Sequence, residues 1–140
     1  MKTRNKPLVL LVDDDPDMVE LTAASLQAHG FDVVTAEEGR VGLDLALTRL
    51  PDVMVLDLAL PDVDGLELVR CLRTMAVTSK IPVIAFSGHA FGSTASDAWS
   101  AGFDAVVTKA GDPDELLRAL RRVLHLSVEL TLAPVSAIAR

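Results

Sequence analysis

The stretch Pro51-Asp-Val-Met-Val-Leu-Asp57-Leu-Ala-Leu-Pro-Asp-Val-Asp-Gly65 contains a short apolar run between a proline and a loop. A run of this length, bounded by turn residues on both sides, predicts a buried β-strand. Asp57 follows the strand directly, at the start of a loop that contains Pro61 and Gly65. A carboxylate in that position lies at the rim of the core.

Three further apolar runs also end on polar residues. Leu8-Val-Leu-Leu-Val12 is followed by Asp13 and Asp14, Ile81-Pro-Val-Ile-Ala-Phe86 by Ser87, and Ala105-Val-Val-Thr108 by Lys109. If the strands are parallel, all four endings lie along one edge of one sheet, where open parallel sheets bind their ligands. The sequence therefore predicts a single crevice that contains three carboxylates, a hydroxyl and an ammonium group.

Helical patterns alternate with the strands. Asp15-Pro-Asp17 predicts the start of a first helix, and Gly30 its end. The run Phe31-Asp-Val-Val-Thr35 predicts a strand without a reactive residue at its end, which suits the edge of the sheet. Further helices are predicted over 37–50, over 66–73, within 89–102 and from Asp112 onward, with Pro113 as the first helical residue of the last. Five βα units with short connections indicate a single α/β domain, a doubly wound parallel sheet.

Composition limits the possible functions. A chain of 140 residues with net charge -7 fits one domain and lacks the basic surface of a nucleic-acid-binding protein. No apolar run is long enough for a membrane span, and the amino terminus does not resemble a signal peptide. The lone cysteine, Cys71, fits a reducing compartment. We therefore expect a soluble, cytoplasmic protein whose partners are other proteins or a cation, with no nucleic acid and no membrane among them.

The predicted crevice has a definite chemistry. Asp13, Asp14 and Asp57 within a few ångströms of one another would raise carboxyl pKa values or recruit a cation. Oxygen ligands of this kind suit Mg2+, which takes one or two carboxylates together with waters and a phosphate. A carboxylate oxygen is also a nucleophile toward phosphorus. With Mg2+ and Lys109 balancing the charge, Asp57 could hold a phosphoryl group, and Ser87 could donate a hydrogen bond to it.

The motifs resemble those of the receiver domains of two-component response regulators. They occur in the family order, at family-like separations, over about residues 8 to 125: Val12-Asp-Asp-Asp-Pro16, Val55-Leu-Asp57, Leu60-Pro-Asp-Val-Asp-Gly65, Ser87-Gly88 and Thr108-Lys109. The resemblance implies a flavodoxin-like five-stranded parallel sheet with strand order 2-1-3-4-5 and helices on both faces.

Position by position, the resemblance assigns roles to the acidic residues and to one backbone group. Asp57 corresponds to the phosphoacceptor. Asp14 corresponds to a direct ligand of Mg2+, Asp13 to a ligand through water, and Ala59 to the donor of a backbone carbonyl to the metal.

Ser87 corresponds to the switch hydroxyl of the family and Lys109 to the lysine that pairs with the phosphate. Three positions depart from the family pattern, and one of them is Gly88, which replaces a frequent alanine after the switch hydroxyl. Ala110 stands where a proline usually follows the lysine, and Val106 stands where an aromatic residue often takes part in the switch. The usual coupling between the switch hydroxyl and an aromatic residue therefore lacks its aromatic residue in this sequence.

The function implied by the resemblance is a switch without substrate turnover. Residues 1–126 would form a receiver that accepts a phosphoryl group from a phosphohistidine on a sensor histidine kinase or a phosphotransfer domain. Phosphorylation would then alter the surface of helix 4, strand 5 and helix 5, which contacts a downstream protein. Residues 127–140 are an apolar tail to which the sequence assigns no role.

Three alternatives remain at this stage. A receiver-like docking module that works without phosphate is compatible with Val106 and Ala110. A phosphatase of the haloacid dehalogenase type would use Asp13 as the nucleophile, because Asp13-Asp-Asp15 imitates its Asp-x-Asp start. A flavodoxin-type flavin carrier would share the sheet, but it requires a hydroxyl-rich phosphate loop after the first strand, where this chain has three aspartates.

Overall fold

The computed structural model of the chain describes residues 5–88 and 92–124, and of residues 92–95 the backbone alone. The predicted tail, residues 127–140, and the first residues of the stretch predicted to form a fourth helix lie outside the described residues. Among the described residues, no helix is long and apolar enough to cross a membrane.

Strands and helices alternate along the whole described chain. In order, they are β1 (Leu8–Val12), α1 (Pro16–Ala28), β2 (Asp32–Ala36), α2 (Gly39–Arg49), β3 (Val53–Leu56), α3 (Gly65–Thr74), β4 (Val83–Ser87), α4 (Gly92–Ala101), β5 (Ala105–Thr108) and α5 (115–124).

The strands form one five-stranded sheet in the order β2-β1-β3-β4-β5. Every neighbouring pair is parallel, and Leu10 in the centre of β1 lies between Val34 of β2 and Met54 of β3. The predicted flavodoxin-like topology is confirmed, and β2 lies at the sheet edge as expected from its unreactive ending. The parallel register brings the carboxyl ends of β1, β3, β4 and β5 to the same side of the molecule.

Alternate residues of each strand face opposite sides of the sheet, so the core has two halves. Val9 and Leu11 pack in a first cluster with the apolar sides of α1 and α5. Leu10 and Val12 pack in a second cluster with α2, α3 and α4. All four side chains are almost completely buried. Since both faces are covered, β1 is continuously apolar, which is typical of a central strand in a parallel sheet.

Helix α1 begins and ends as the sequence predicts. The Asp15 carboxylate accepts hydrogen bonds from the backbone N–H groups of Asp17 and Met18. At the other end Gly30 has φ +94°, in the left-handed region that favours glycine. The Gly30 and Phe31 N–H groups donate to the carbonyls of Gln27 and Leu26, which forms a Schellman motif.

Helix α5 starts later than predicted. The Asp112 carboxylate accepts a hydrogen bond from the Asp114 N–H, and the Asp112 carbonyl accepts one from the Glu115 N–H three residues on. This tight turn precedes the helix, so Pro113 lies in the turn and the helix begins at residue 115. The predicted buried stripe is present, with Leu116, Leu117, Leu120 and Val123 in the first core cluster.

Glycine has a packing role in α2 that the sequence did not indicate. A Cβ atom at Gly42 would lie 2.8 Å from Cγ2 of Val12 in β1. The helix therefore approaches the sheet more closely at this point than any other residue would allow. Gly42 therefore sets the distance of α2 from β1, next to the strand end that carries Asp13.

Arg73, at the carboxyl end of α3, joins three segments that are distant in sequence. Its guanidinium donates to the carbonyls of Ser79 and Ile81 in the connection to β4, and to the carbonyl of Gly102 after α4. It also forms an ion pair with Asp104 at 2.8 Å, and the same Asp104 oxygen accepts the Val83 N–H at the start of β4. The planar five-donor group of arginine is required for this arrangement.

We expect Arg73→Lys to lower the free energy of unfolding by about 2 kcal/mol, since an ammonium cannot reach all these acceptors at once and leaves partly buried carbonyls unsatisfied. Urea denaturation followed by circular dichroism measures the change. Arg70→Lys, at an exposed position of the same helix, is the matched control and is expected to stay within about 0.5 kcal/mol of the wild type. Equal stability of the two variants would contradict the role assigned to Arg73.

Candidate functional site

The polar residues predicted to meet at the strand ends are together in the structure. Val12 of β1 is aligned with Leu56 of β3, so Asp13 and Asp57 follow adjacent strands at the same level. The Asp57 N–H donates to the Val12 carbonyl at 2.9 Å, and the Lys109 N–H donates to the Ser87 carbonyl at 2.7 Å. These backbone bonds continue the sheet by one residue and hold the end of β3 to that of β1 and the end of β5 to that of β4.

Lys109 forms ion pairs with two of the carboxylates. Its ammonium nitrogen lies 2.5 Å from Oδ2 of Asp13 and 3.1 Å from Oδ2 of Asp57. The two aspartates are 2% and 7% exposed, respectively, so both charges are largely removed from water. Buried charges are stable only when they are paired, and the single ammonium partly neutralises the two carboxylates.

The three predicted metal ligands also lie close together. Asp13, Asp14 and Asp57 each offer an oxygen atom, and these atoms lie within 4.8 Å of one another. Asp13 and Asp57 are buried, whereas Asp14 is exposed and gives the cluster contact with solvent. A cluster of carboxylate oxygens with one side open to water matches the ligand preference of a hard divalent cation such as Mg2+.

The other two predicted residues lie around this cluster. The Ala59 N–H donates to Oδ1 of Asp57 at 3.1 Å, which ties the β3–α3 loop to the carboxylate that precedes it. Ala59 is exposed in that loop. Ser87 is the last residue of β4 and is 4% exposed. Each of the six residues singled out in the sequence is therefore found at the carboxyl edge of the sheet.

The pKa values of the central pair reflect burial and mutual charge. Burial raises the pKa of Asp57, and the hydrogen bond from Ala59 and the charge of Lys109 offset only part of that effect. Burial alone would lower the pKa of the Lys109 ammonium. The hydrogen bond to Asp13 and the negative charge of Asp57 outweigh burial, so the pKa of Lys109 is raised. The lysine therefore stays charged across the physiological range.

An aromatic residue contacts Lys109 on the side away from the carboxylates. The ring of Phe86 is 5.7 Å from the ammonium nitrogen, within the distance at which a cation is attracted to a ring face. The sequence pattern predicts Phe86 as the last apolar residue of its strand but does not connect it with the site. Because side chains alternate along a strand, Phe86 and Ser87 face opposite sides of the sheet. This alternation links Phe86 to the site only when the position of the Lys109 ammonium is known.

Asp62 lies in the β3–α3 loop and caps a helix that is distant in sequence. Its two carboxylate oxygens accept hydrogen bonds from the N–H groups of Gly39 at 2.8 Å and Arg40 at 3.0 Å, at the start of α2. The residue before that helix, Glu38, makes no side-chain cap. Asp62 thus fastens the β3–α3 loop, which carries Ala59, to α2. The separation of 23 residues hides this contact from sequence reasoning.

A family comparison agrees with the geometry. The model of the response regulator receiver domain matches residues 9–121. The chain therefore belongs to the family of response regulator receiver domains. This membership favours the receiver over the phosphatase and the flavin carrier, and it agrees with the strand order and with the acidic cluster described above.

Two relatives show the extent of the similarity. The chain is 38% identical over 118 residues to the transcriptional regulatory protein KdpE of Mycobacterium tuberculosis, covering 84% of this chain and 51% of KdpE. It is 35% identical over 119 residues to the DNA-binding dual master transcriptional regulator RpaA of Synechocystis, covering 85% of this chain and 49% of RpaA. The chain thus spans about half the length of these relatives.

A solved structure adds information about the metal. The receiver domain of the sensor histidine kinase PA1611 from Pseudomonas aeruginosa superposes with a TM-score of 0.79 at 26% identity, covering 86% of this chain and 98% of that one. That structure has a magnesium ion coordinated in the active site cleft. A receiver domain with the same fold as this chain therefore coordinates magnesium in its active site cleft.

The cap made by Asp62 has a pH dependence that can be measured. Its hydrogen bonds to Gly39 and Arg40 lower the pKa of Asp62 below the ordinary value of 3.8. The cap therefore contributes stability above pH 3.8, and this contribution is lost as the pH falls through the lowered pKa. We expect Asp62→Ala to reduce the melting temperature by a few degrees at pH 7 and by progressively less below pH 3.8. A reduction of the melting temperature that is equal at pH 7 and below pH 3.8 would contradict a charged cap.

The raised pKa of Asp57 leads to the opposite dependence of stability on pH. The ionised carboxylate destabilises the fold above its raised pKa, and the penalty disappears as the pH falls toward 3.8. We expect Asp57→Asn to increase the free energy of unfolding by about 1 kcal/mol at pH 7, because an amide carries no charge to be buried and Lys109 keeps Asp13 as a partner. Urea denaturation at pH 7 and pH 4 measures both values. Asp44→Asn, at an exposed position of α2, should change neither, and a loss of stability in Asp57→Asn would contradict the argument.

Proposed function

We propose that Asp57 is the phosphoacceptor of a two-component phosphorelay and that the crevice around it is the phosphoryl-transfer site. The observation that carries the proposal is the position of the Lys109 ammonium between Asp13 and Asp57, at the carboxyl ends of parallel strands. A lone carboxylate could not accept a dianionic phosphoryl group without a cation beside it. Membership in the receiver family supports the same assignment.

The proposed reaction is a transfer from nitrogen to oxygen. A carboxylate oxygen of Asp57 forms a bond to phosphorus while the phosphorus–nitrogen bond of a phosphohistidine breaks, and the electron pair of that bond returns to the imidazole nitrogen. The donor is a sensor histidine kinase or a phosphotransfer domain. Because both Asp57 oxygens already accept hydrogen bonds, from Ala59 and Lys109, the carboxylate is held in a fixed orientation before the donor arrives.

Mg2+ is the proposed cofactor of this step, and bound Mg2+ would neutralise the negative charge that gathers around the phosphoryl group. Asp14 and Asp57 would hold the ion directly, Asp13 through a water molecule and Ala59 through its backbone carbonyl. The closeness of the three carboxylates and the exposure of Asp14 support this set of ligands.

Lys109 and Ser87 would stabilise the phosphorylated form. Lys109 is charged and already directed toward Asp57, and Ser87 ends the neighbouring strand. A movement of the Ser87 hydroxyl toward the phosphoryl group would change the relative populations of two conformations of the surface formed by α4, β5 and α5. A downstream protein would contact this surface in one of the two conformations. We place this exchange in the cytoplasm and assign the chain a switch function with weak autodephosphorylation, not substrate turnover.

The main alternative is a docking module that works without phosphate. It is favoured by Val106, which is only half-buried in β5 and takes the place of an aromatic switch residue. In that case the carboxylate cluster would keep only a structural role, and the surface of α4, β5 and α5 would be permanently in its binding form.

We expect incubation with phosphoramidate and Mg2+ to add the mass of one phosphoryl group to the intact protein, and we expect no adduct without Mg2+ or in Asp57→Asn. Intact-protein mass spectrometry checks both. Asp44→Asn, at an exposed aspartate of α2, is the matched control and should be modified like the wild type.

Each other outcome has a definite meaning. The absence of an adduct in the wild type under all conditions would replace the proposal by the docking module. An adduct that survives Asp57→Asn but not Asp13→Asn would move the acceptor to Asp13.

A further inference from the structure

The proposed ligands of Mg2+ come from two separate parts of the chain. Asp13 and Asp14 follow β1, whereas Asp57 and Ala59 belong to the β3–α3 loop, residues 57–64. A cation bound by both parts requires the loop to keep a fixed position relative to the end of β1. The sheet fixes Asp57 in this way, but Ala59 lies two residues farther on, and its position depends on what holds the loop.

The β3–α3 loop is closed on itself by three contacts. The Ala59 N–H donates to Oδ1 of Asp57 at 3.1 Å. Ala59 also pairs with Asp64 in a short antiparallel bridge, and the Gly65 N–H donates to the Leu58 carbonyl at 3.1 Å. These contacts give the loop a defined internal shape, but they do not fix the loop against β1.

The tip of the loop, residues 60–63, lies against the first turn of α2. Asp62 accepts the hydrogen bonds from Gly39 and Arg40 at 2.8 and 3.0 Å. Val63 packs directly on the same turn, since a Cβ atom at Gly39 would collide with Cγ2 of Val63. A polar contact and close packing therefore join the loop and the helix at one point.

Helix α2 is itself fixed to the end of β1. The side chain of Val12 leaves no room for a Cβ atom at Gly42, so helix and strand are in close contact there. Val12 is the residue before Asp13. Asp62 therefore connects the loop with the end of β1 through α2, by a path that does not pass through Asp57.

The first turn of α2 has no cap of its own. Glu38 occupies the N-cap position with extended backbone, φ -135° and ψ 152°, but its side chain makes no cap hydrogen bond. An aspartate or serine at that position would satisfy N–H groups of the same turn locally. The cap from Asp62 differs from a local cap because it also links two elements that carry different parts of the site.

We infer that Asp62 is a positioning residue of the metal site, which holds the loop carrying the Ala59 carbonyl in place relative to Asp13 and Asp14. The inference rests on the proposed function, because it concerns the Mg2+ of the phosphoryl-transfer site. A ligand group that is fixed before binding loses less conformational freedom when the ion arrives. Loss of the Asp62 contact therefore weakens Mg2+ binding and leaves the Asp57 nucleophile unchanged.

The test is a titration of the full chain with Mg2+ alone, followed by 1H–15N NMR at constant ionic strength. We expect Asp62→Ala to raise the apparent Kd for Mg2+ about tenfold, the lower end of the effect expected when an outer partner of a metal ligand is removed. In the metal-free protein, the Ala59 N–H should exchange with water several-fold faster in Asp62→Ala, because its bond to Asp57 opens more often.

Two changes at Glu38 separate position from charge and from stability. Glu38→Gln removes one negative charge at the same end of α2 and should keep the wild-type Kd. Asp62→Ala combined with Glu38→Asp has the same net charge as Asp62→Ala alone and supplies α2 with a local cap. We expect this double variant to recover most of the lost melting temperature but not the affinity for Mg2+.

The rate of phosphorylation gives an independent readout. With phosphoramidate as donor and little Mg2+, we expect adduct formation in Asp62→Ala to be about tenfold slower than in the wild type, and at saturating Mg2+ to approach the wild-type rate. This pattern follows because the contact affects occupancy of the metal site and not the reactivity of Asp57.

Several results would overturn the inference. An unchanged Kd in Asp62→Ala, or a Kd restored by Glu38→Asp, would leave Asp62 with a stabilising role alone. A Kd raised equally by Glu38→Gln would reduce the effect to charge, and a slow rate that persists at saturating Mg2+ would place the defect at Asp57. Absence of saturable Mg2+ binding in the wild type would overturn the metal assignment of the proposed function as well, which distinguishes the two failures.

Discussion

The ion pairs of Lys109 with Asp13 and Asp57 are the interaction on which the site depends. Three charged groups lie at the carboxyl ends of β1, β3 and β5, and two of them are almost fully buried. Their burial is tolerable because opposite charges are within ion-pair distance, and this distance is set by the strand order of the sheet. A different order would leave two carboxylates buried without a cation. The fold and the charge arrangement are therefore not separable.

Irregular segments are fixed by charged side chains that bond to distant backbone groups, and one of these segments carries a site residue. Asp62 binds two N–H groups of α2 and thereby holds the loop in which Ala59 lies. Arg73 holds three carbonyls and Asp104, which fixes the entry into β4 and the approach to β5. In both cases one planar group satisfies several backbone partners at once. Such contacts give irregular segments a defined position that short local turns cannot provide.

Two adjacent residues of β4 face opposite sides of the sheet, one near the carboxylates and the other in the apolar core. Ser87 ends the strand near the carboxylates, whereas Phe86 faces the first core cluster and supports Lys109 from the α1/α5 side. Lys109 belongs to both environments, since it pairs with carboxylates on one side and lines an apolar groove between α1 and α5 on the other. Any change in the position of this lysine consequently alters the surface between α1 and α5.

The sequence by itself determined the class of fold, the strand order through its family resemblance, the caps of α1 and the identity of the polar groups that meet at the sheet edge. It could do so because strand periodicity, Asp15-Pro16 and Gly30 are local signals, and because parallel strands necessarily bring their endings together. Only the tertiary structure decided that Asp62 caps α2, that Gly42 sets a helix-to-strand distance, that Phe86 supports Lys109 and that α5 starts after a tight turn. These features depend on contacts between residues far apart in the chain or on the detailed geometry of a turn. Residue type and spacing do not determine either, because packing selects them after the elements have formed.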